Sequence, residues 1–121
     1  SEKNKKLERH LIDCYKSNEE YIVVHHEGSQ SSYFDKMKGS INLESVIKIE
    51  KKTDIFNNIF FYLDILANAN EIHCISSSIF TLADRVKTKG NLFLHNVNNE
   101  PNFEETNSCL NPWKIIEYNK V

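Results

Sequence analysis

Glu71-Ile-His-Cys-Ile-Ser-Ser-Ser78 is the stretch on which the fold turns. Glu71 to Ile75 reads as a short apolar strand. Ser76, Ser77 and Ser78 then offer hydroxyls for a helix N-cap, and Ile79 to Val86 carries apolar residues at helical spacing. A strand running through a serine cluster into a helix leaves the first helical N–H groups without internal partners. The positive end of the helix dipole lies at the same place, which makes such a junction a common anion site. A plain strand–turn–helix with a serine cap gives the same pattern without any ligand.

Upstream, Tyr21-Ile-Val-Val-His-His26 is a continuous, β-branched apolar run, the signature of a strand covered on both faces. The polar loop Glu27 to Ser32 follows, with Gly28 at a position that asks for positive φ or a close backbone approach. Tyr33 to Lys38 fits one helical turn ended by Gly39. Leu43 to Glu50 is a second strand, and Lys48 interrupts its apolar run as an edge position would. Asp54 is placed to cap a long helix from Ile55 to Asn68, whose apolar face is built on Phe56, Ile59, Phe60, Leu63, Leu66 and Ala67, broadened by Phe61, Tyr62 and Ile65.

Downstream, the helix Ile79 to Lys87 presents Phe80, Leu82, Ala83 and Val86, with Gly90 as its C′ residue. Asn91 to His95 is a fourth strand. Asn96 to Ser108 is polar loop, and Pro112 sits where the first residue of a last helix belongs, with Trp113, Ile115, Ile116 and Tyr118 for packing. At the start, Glu2 to Glu20 reads as an amphipathic helix with Leu7, Leu11, Ile12 and Tyr15 on its apolar stripe. A chain opening on such a helix also fits a segment cut from a longer protein.

Alternating strands and helices predict an α/β fold: a small doubly wound domain with a four-stranded, mostly parallel sheet and helices on both faces. Such sheets bind ligands outside the carboxyl ends of their strands. In this sequence those ends are His25-His26-Glu27-Gly28, Glu50-Lys51-Lys52, Ser76-Ser77-Ser78 and His95-Asn96. The opposite ends, at Glu20, Asn70 and Asn91, are polar but lack the histidines, the glycine and the serine triplet. A ligand site is therefore expected at the carboxyl edge.

Composition narrows the function classes. The 121 residues suit one core, and 40% hydrophobic with 26% charged content is that of a globular chain. A formal net charge of −2 implies no broad basic face, so nucleic acid is not an expected partner. No apolar run is long enough to span a bilayer and the first residues do not form a signal-peptide h-region. Cys14, Cys74 and Cys109 are odd in number and lack metal-ligand spacing, which fits reduced thiols and a cytoplasmic location. His25 and His26, adjacent on a strand, point to opposite faces, and His73 reads as a hydrogen-bonded core histidine. No metal or cofactor is expected: zinc spacing, G-x-G-x-x-G, the P-loop lysine and the nucleophile-elbow glycines around Ser77 are all missing.

Tyr21 to Ser29, Asn58 to Asn70, and Glu71-Ile-His-Cys-Ile-Ser-Ser-Ser-Ile-Phe-Thr-Leu-Ala-Asp-Arg85 together resemble the C-terminal half of a GT-B-type glycosyltransferase. The resemblance implies a Rossmann-like α/β domain over residues 21–121, preceded by a linker-like helix over residues 1–20. It implies a transferase domain that binds a nucleotide-sugar donor, with Ser77 and Ser78 on the phosphates and the loop Glu27 to Gln30 facing the sugar or diphosphate. With the carboxyl-edge residues read above, the expected binding set is Ser76, Ser77, Ser78, His26, Glu27, Gly28, Ser29 and His95. It also implies a missing partner, an N-terminal acceptor domain or a second subunit, without which turnover is not expected; catalytic residues are not assigned. Ser76 stands where the family pattern has an acidic residue, and Gln30 where a cation would neutralise a diphosphate. A non-catalytic α/β interaction module, using an exposed helix face such as Leu7, Leu11 and Tyr15, is the alternative. A flavodoxin-like or receiver-like switch fits less well, since no acidic cluster follows the first strand.

Overall fold

The computed structural model describes residues 20–28, 32–42, 46–49 and 59–118. The amphipathic helix expected over 1–20 and the cap at Asp54 therefore fall almost wholly outside the described residues. Within them the elements run β1 (Ile22–His25), α1 (Phe34–Met37) with a 3-10 turn Lys38–Ser40, β2 (Val46–Ile49), α2 (Ile59–Asn68), β3 (Glu71–Cys74), α3 (Ser78–Asp84), β4 (Asn91–Asn96) and β5 (Trp113–Glu117). The strands form one sheet in the order β2-β1-β3-β4-β5, and every neighbouring pair is parallel.

Every residue of β1 is buried, as a strand with neighbours on both edges and cover on both faces requires. β2 is an edge strand, and its Lys48 lies exposed with the ammonium 3.8 Å from the centre of the Phe34 ring. Alternate strand residues feed two apolar clusters. Val23, Ile47, Ile72 and Leu92 pack with Tyr62, Ile65 and Leu66 of α2 and with Ile79, Phe80 and Ala83 of α3. Ile22 and Val24 join Met37 of α1, Ile41, Ile75 and Val97, with Tyr33, Phe34, Val46 and Tyr118 against them. α2 buries the stripe Tyr62, Ile65 and Leu66, whereas Phe60, expected on the packed face, is 83% exposed. A helix that is apolar nearly all round leaves the phase of its buried stripe open, and here the Tyr21 hydroxyl donates to the Ile65 carbonyl at 2.7 Å beside the winning stripe.

The last helix expected from Pro112 is not formed, and the sheet has five strands rather than four. Trp113 to Glu117 pairs with Leu92 to Asn96 in parallel register. Two adjacent β-branched isoleucines favour the strand, and β4 would otherwise present an open edge. Trp113 packs edge-on against Phe80, ring centres 4.7 Å apart, and donates its indole N–H to Asp84 at 2.9 Å. The connection from β4 to β5 carries turns instead of a helix. Phe103 and Cys109 anchor it on the larger cluster, and Asn99 and Asn102 adopt positive φ, which asparagine tolerates.

Asp84 fastens the far end of that connection. Its carboxylate accepts from the Leu110 N–H, the Asn111 N–H and the Trp113 indole, and Asn111 donates back to the Asp84 carbonyl at 2.6 Å. Gly90 is not the C′ residue expected, because α3 ends at Asp84 with Arg85 as its C-cap. It is needed for a close approach: a Cβ there would lie 2.1 Å from the Asn70 carbonyl oxygen and 2.4 Å from that of Ala69. The backbones of the α2–β3 and α3–β4 junctions touch at this point, held by Asn91 N–H to Asn70 O and Lys89 N–H to Ala67 O.

Candidate functional site

Because all five strands run the same way, their carboxyl ends share one edge. A cavity of about 250 Å³ opens there. The chain leaving β1 contributes Gly28 and Tyr33, the chain leaving β3 contributes Ile75 and Ser76, and the end of β4 contributes His95 to Asn98. Glu100 and Phe103, from the connection to β5, close it. The strand order changes direction between β1 and β3, and the cavity is lined from both of those strands' ends.

Of the residues expected at the site, Gly28, Ser76 and His95 line this cavity. Ser77 is the N-cap of α3: it is extended, and its hydroxyl oxygen accepts from the Phe80 N–H at 3.4 Å. Ser78 is the first residue of α3 and faces solvent. His26 is buried, with Nδ1 2.8 Å from the Ser32 hydroxyl and its ring edge-on to Phe34. Together with the bridge between Glu27 and Ser32, this contact joins Ser32 to the end of β1 and engages Nδ1 within the protein. Ser29 lies outside the described residues.

The sequence reading did not single out Tyr33, Asn98, Glu100 or Phe103. Asn96, at the end of β4, organises the turn that carries Glu100. Its Nδ2 donates to the Glu100 carbonyl at 3.0 Å and to the Glu117 carboxylate at 3.1 Å, while its Oδ1 accepts from the Glu100 N–H. An asparagine at a strand end, ahead of a polar stretch, is the available signal for such a side-chain-built turn. The Tyr33 hydroxyl donates to the Asn98 amide oxygen at 3.2 Å across the cavity's rim.

His95 is 1% exposed and both its ring nitrogens are engaged, Nε2 with His73 Nδ1 at 2.8 Å and Nδ1 with the Tyr118 hydroxyl at 2.6 Å. Burial, reinforced by the neighbouring His73, pushes its pKa down to about 3, so the ring is neutral at ordinary pH. Burial lowers His73 as well, against the pull of Glu71, whose carboxylate lies 2.8 Å from His73 Nε2. His25 is held low by burial too, with Nδ1 at the Ile49 carbonyl. The cavity thus offers hydroxyls, amides, one carboxylate and two aromatic faces, with no lysine or arginine in its described lining. That chemistry suits a hydroxyl-rich ligand.

A second cavity, of about 380 Å³, lies between α3 and the β4–β5 connection, with Asp84, Arg85 and Cys109 in its wall. Burial, with Asp84 beside it, pushes the Cys109 thiol up and keeps it protonated. Among the described residues no group of three histidine, cysteine or acidic side chains could hold a metal ion, and no helix is long and apolar enough to cross a membrane.

Comparison with protein-family models, with curated proteins and with solved structures found no match for this chain.

Proposed function

We propose that the chain is the donor-binding half of a GT-B-type glycosyltransferase, a doubly wound, Rossmann-like unit whose carboxyl edge takes a nucleotide sugar. The observation that carries this reading is the cavity itself. Residues from three separate strand ends, Gly28, Ser76 and His95 to Asn98, meet around one polar pocket where the strand order reverses. Asn98, Glu100 and Ser76 hydrogen-bond sugar hydroxyls there, and Tyr33 and Phe103 offer apolar faces to a ring. No lysine or arginine stands in the described lining to meet the diphosphate, which leaves binding weak in this half alone. A partner domain or subunit supplies the acceptor and the other wall of the cleft.

Amide NMR titration of the intact chain tests it, with uridine and guanosine diphosphate sugars, the free sugars and inorganic pyrophosphate as separate ligands. Saturable shifts at Gly28, Ser76, Asn98 and Glu100, weakened by Glu100→Gln, support the reading. No shift at millimolar nucleotide sugar, or shifts confined to α2 or to the second cavity, refutes it. The last outcome would favour an interaction module, for which the exposed Phe60 and the 77% exposed Leu110 are the motivating observations.

A further inference from the structure

Two histidines in direct contact, each 1% exposed, are a costly way to fill the core beneath a sheet. Here they are the middle of a continuous hydrogen-bonded chain. Glu71 Oε1 meets His73 Nε2 at 2.8 Å, His73 Nδ1 meets His95 Nε2 at 2.8 Å, and His95 Nδ1 meets the Tyr118 hydroxyl at 2.6 Å. One end is a carboxylate with 28% of its side-chain surface exposed; the other is a half-buried phenol.

The chain has a direction. An ionised carboxylate only accepts, so His73 carries its proton on Nε2 and leaves Nδ1 bare. His95 must then donate from Nε2, and its bare Nδ1 accepts from the Tyr118 hydroxyl. One neutral tautomer of each ring satisfies all three links, and every donor points towards Glu71. Phe93 stacks on His73 with ring centres 4.6 Å apart and fixes its plane.

We infer that Glu71, His73, His95 and Tyr118 form a proton relay that makes the Tyr118 hydroxyl an acid–base group for a hydroxyl-bearing ligand at the carboxyl-edge cavity. Tyr118 packs on the apolar cluster that includes Ile75 and Val97, and those two residues and His95 line the cavity. Burial pushes the Tyr118 hydroxyl up, against a hydrogen bond from Ser40, so at rest it keeps the proton it donates to His95. In the forward direction Tyr118 oxygen takes the ligand hydroxyl's proton and passes its own to His95 Nδ1. The His95 Nε2 proton moves to His73 Nδ1, and the His73 Nε2 proton moves to Glu71. Atoms and charge balance: one proton is added to the carboxylate and the negative charge moves to the ligand oxygen. The reverse direction donates a proton. The inference draws its ligand from the cavity reading above, but the relay exists without that ligand, and its test uses none.

Two measurements on the intact chain decide it. Long-range proton–nitrogen NMR of histidine-labelled protein at neutral pH reads the tautomers directly, and both His73 and His95 should carry the proton on Nε2. Acetylation by N-acetylimidazole, mapped by mass spectrometry, reads the relay at work. The Tyr118 oxygen–acetyl bond forms, the acetyl–imidazole bond breaks with its electron pair leaving on imidazole, the phenol proton enters the relay, and the leaving imidazole takes a proton from water. Glu71→Gln keeps an acceptor for His73 but cannot receive a proton; it should slow acetylation at Tyr118 about tenfold or more, with Tyr33 as an unchanged internal reference. Equal Tyr118 rates in the two proteins, or a proton on Nδ1 of either ring in the wild type, overturns the relay. Failure of the nucleotide-sugar titration leaves both results standing.

Discussion

Acidification should unfold this protein through its buried histidines, and His95 allows the size of the effect to be worked out. An unfolded histidine has a pKa of about 6.5. In the fold His95 is pushed down to about 3 by burial and by His73. Between those values the unfolded chain binds a proton that the folded chain refuses, so stability falls as pH drops. The contribution is intact above about pH 6.5, fades as pH falls through that value and is fully lost once pH reaches the folded pKa. Taking pH 7 to pH 5, the unfolded state gains about 2 kcal/mol from this one ring, roughly a fifth of the stability of an ordinary domain. His25 and His73 are lowered too and act with the same sign. Urea unfolding at pH 5, 6 and 7 measures the slope, and His95→Gln isolates one ring's share. The variant should be less stable at pH 7 yet lose about 2 kcal/mol less than the wild type on going to pH 5. Parallel pH profiles for the two proteins, at equal denaturant slopes, would refute the assignment of His95 as a buried neutral ring.

Asp84→Ala should cost about 3–5 kcal/mol in urea unfolding, because the Leu110 N–H, the Asn111 N–H and the Trp113 indole lose their acceptor together. Burial alone would raise the Asp84 carboxyl, but the hydrogen bonds from Leu110, Trp113 and Asn111 outweigh it and hold it below the ordinary carboxylate range. Its stabilising share should therefore persist above about pH 4 and disappear below it, a loss absent from the alanine variant. Gly90→Ala should lower the melting midpoint severely or prevent folding, since the new methyl meets backbone oxygens that cannot yield. A midpoint within a few degrees of wild type would show that the two junctions separate easily.

The parallel sheet was legible because its strands are short β-branched runs bounded by polar turns, and Lys48 marked the edge strand. The cavity at the carboxyl edge is lined by three residues the strand ends had marked, Gly28, Ser76 and His95, and Ser77 caps α3 as its position suggested. His73 is the hydrogen-bonded core histidine its mid-strand place implied. Three things were hidden. Trp113 to Glu117 follows a proline that starts helices well, and the strand preference of Ile115 and Ile116 prevails through the open edge of β4 and the acceptor at Asp84. The stripe on α2 could not be phased, because Phe60, Phe61, Tyr62 and Leu63 are all apolar enough to face inwards. Asn98, Glu100 and Phe103 sit in a segment without period, and each is placed by a tertiary contact: Asn98 by the Tyr33 hydroxyl, Glu100 by the Asn96 side chain and Phe103 by the larger apolar cluster.

The strand that replaced the expected helix also acts as a seal. β5 closes the edge of β4, and it is held at its two ends by Asp84 through Leu110, Asn111 and Trp113, and by Asn96 through Glu117. If those clamps let go, β5 peels away while β1 and β3 stay paired. The bared rim of β4, with Leu92 and Leu94 on it, is then a template for a strand from another molecule. Loss of Asp84 should thus show itself first as self-association under conditions where most of the sheet is still folded.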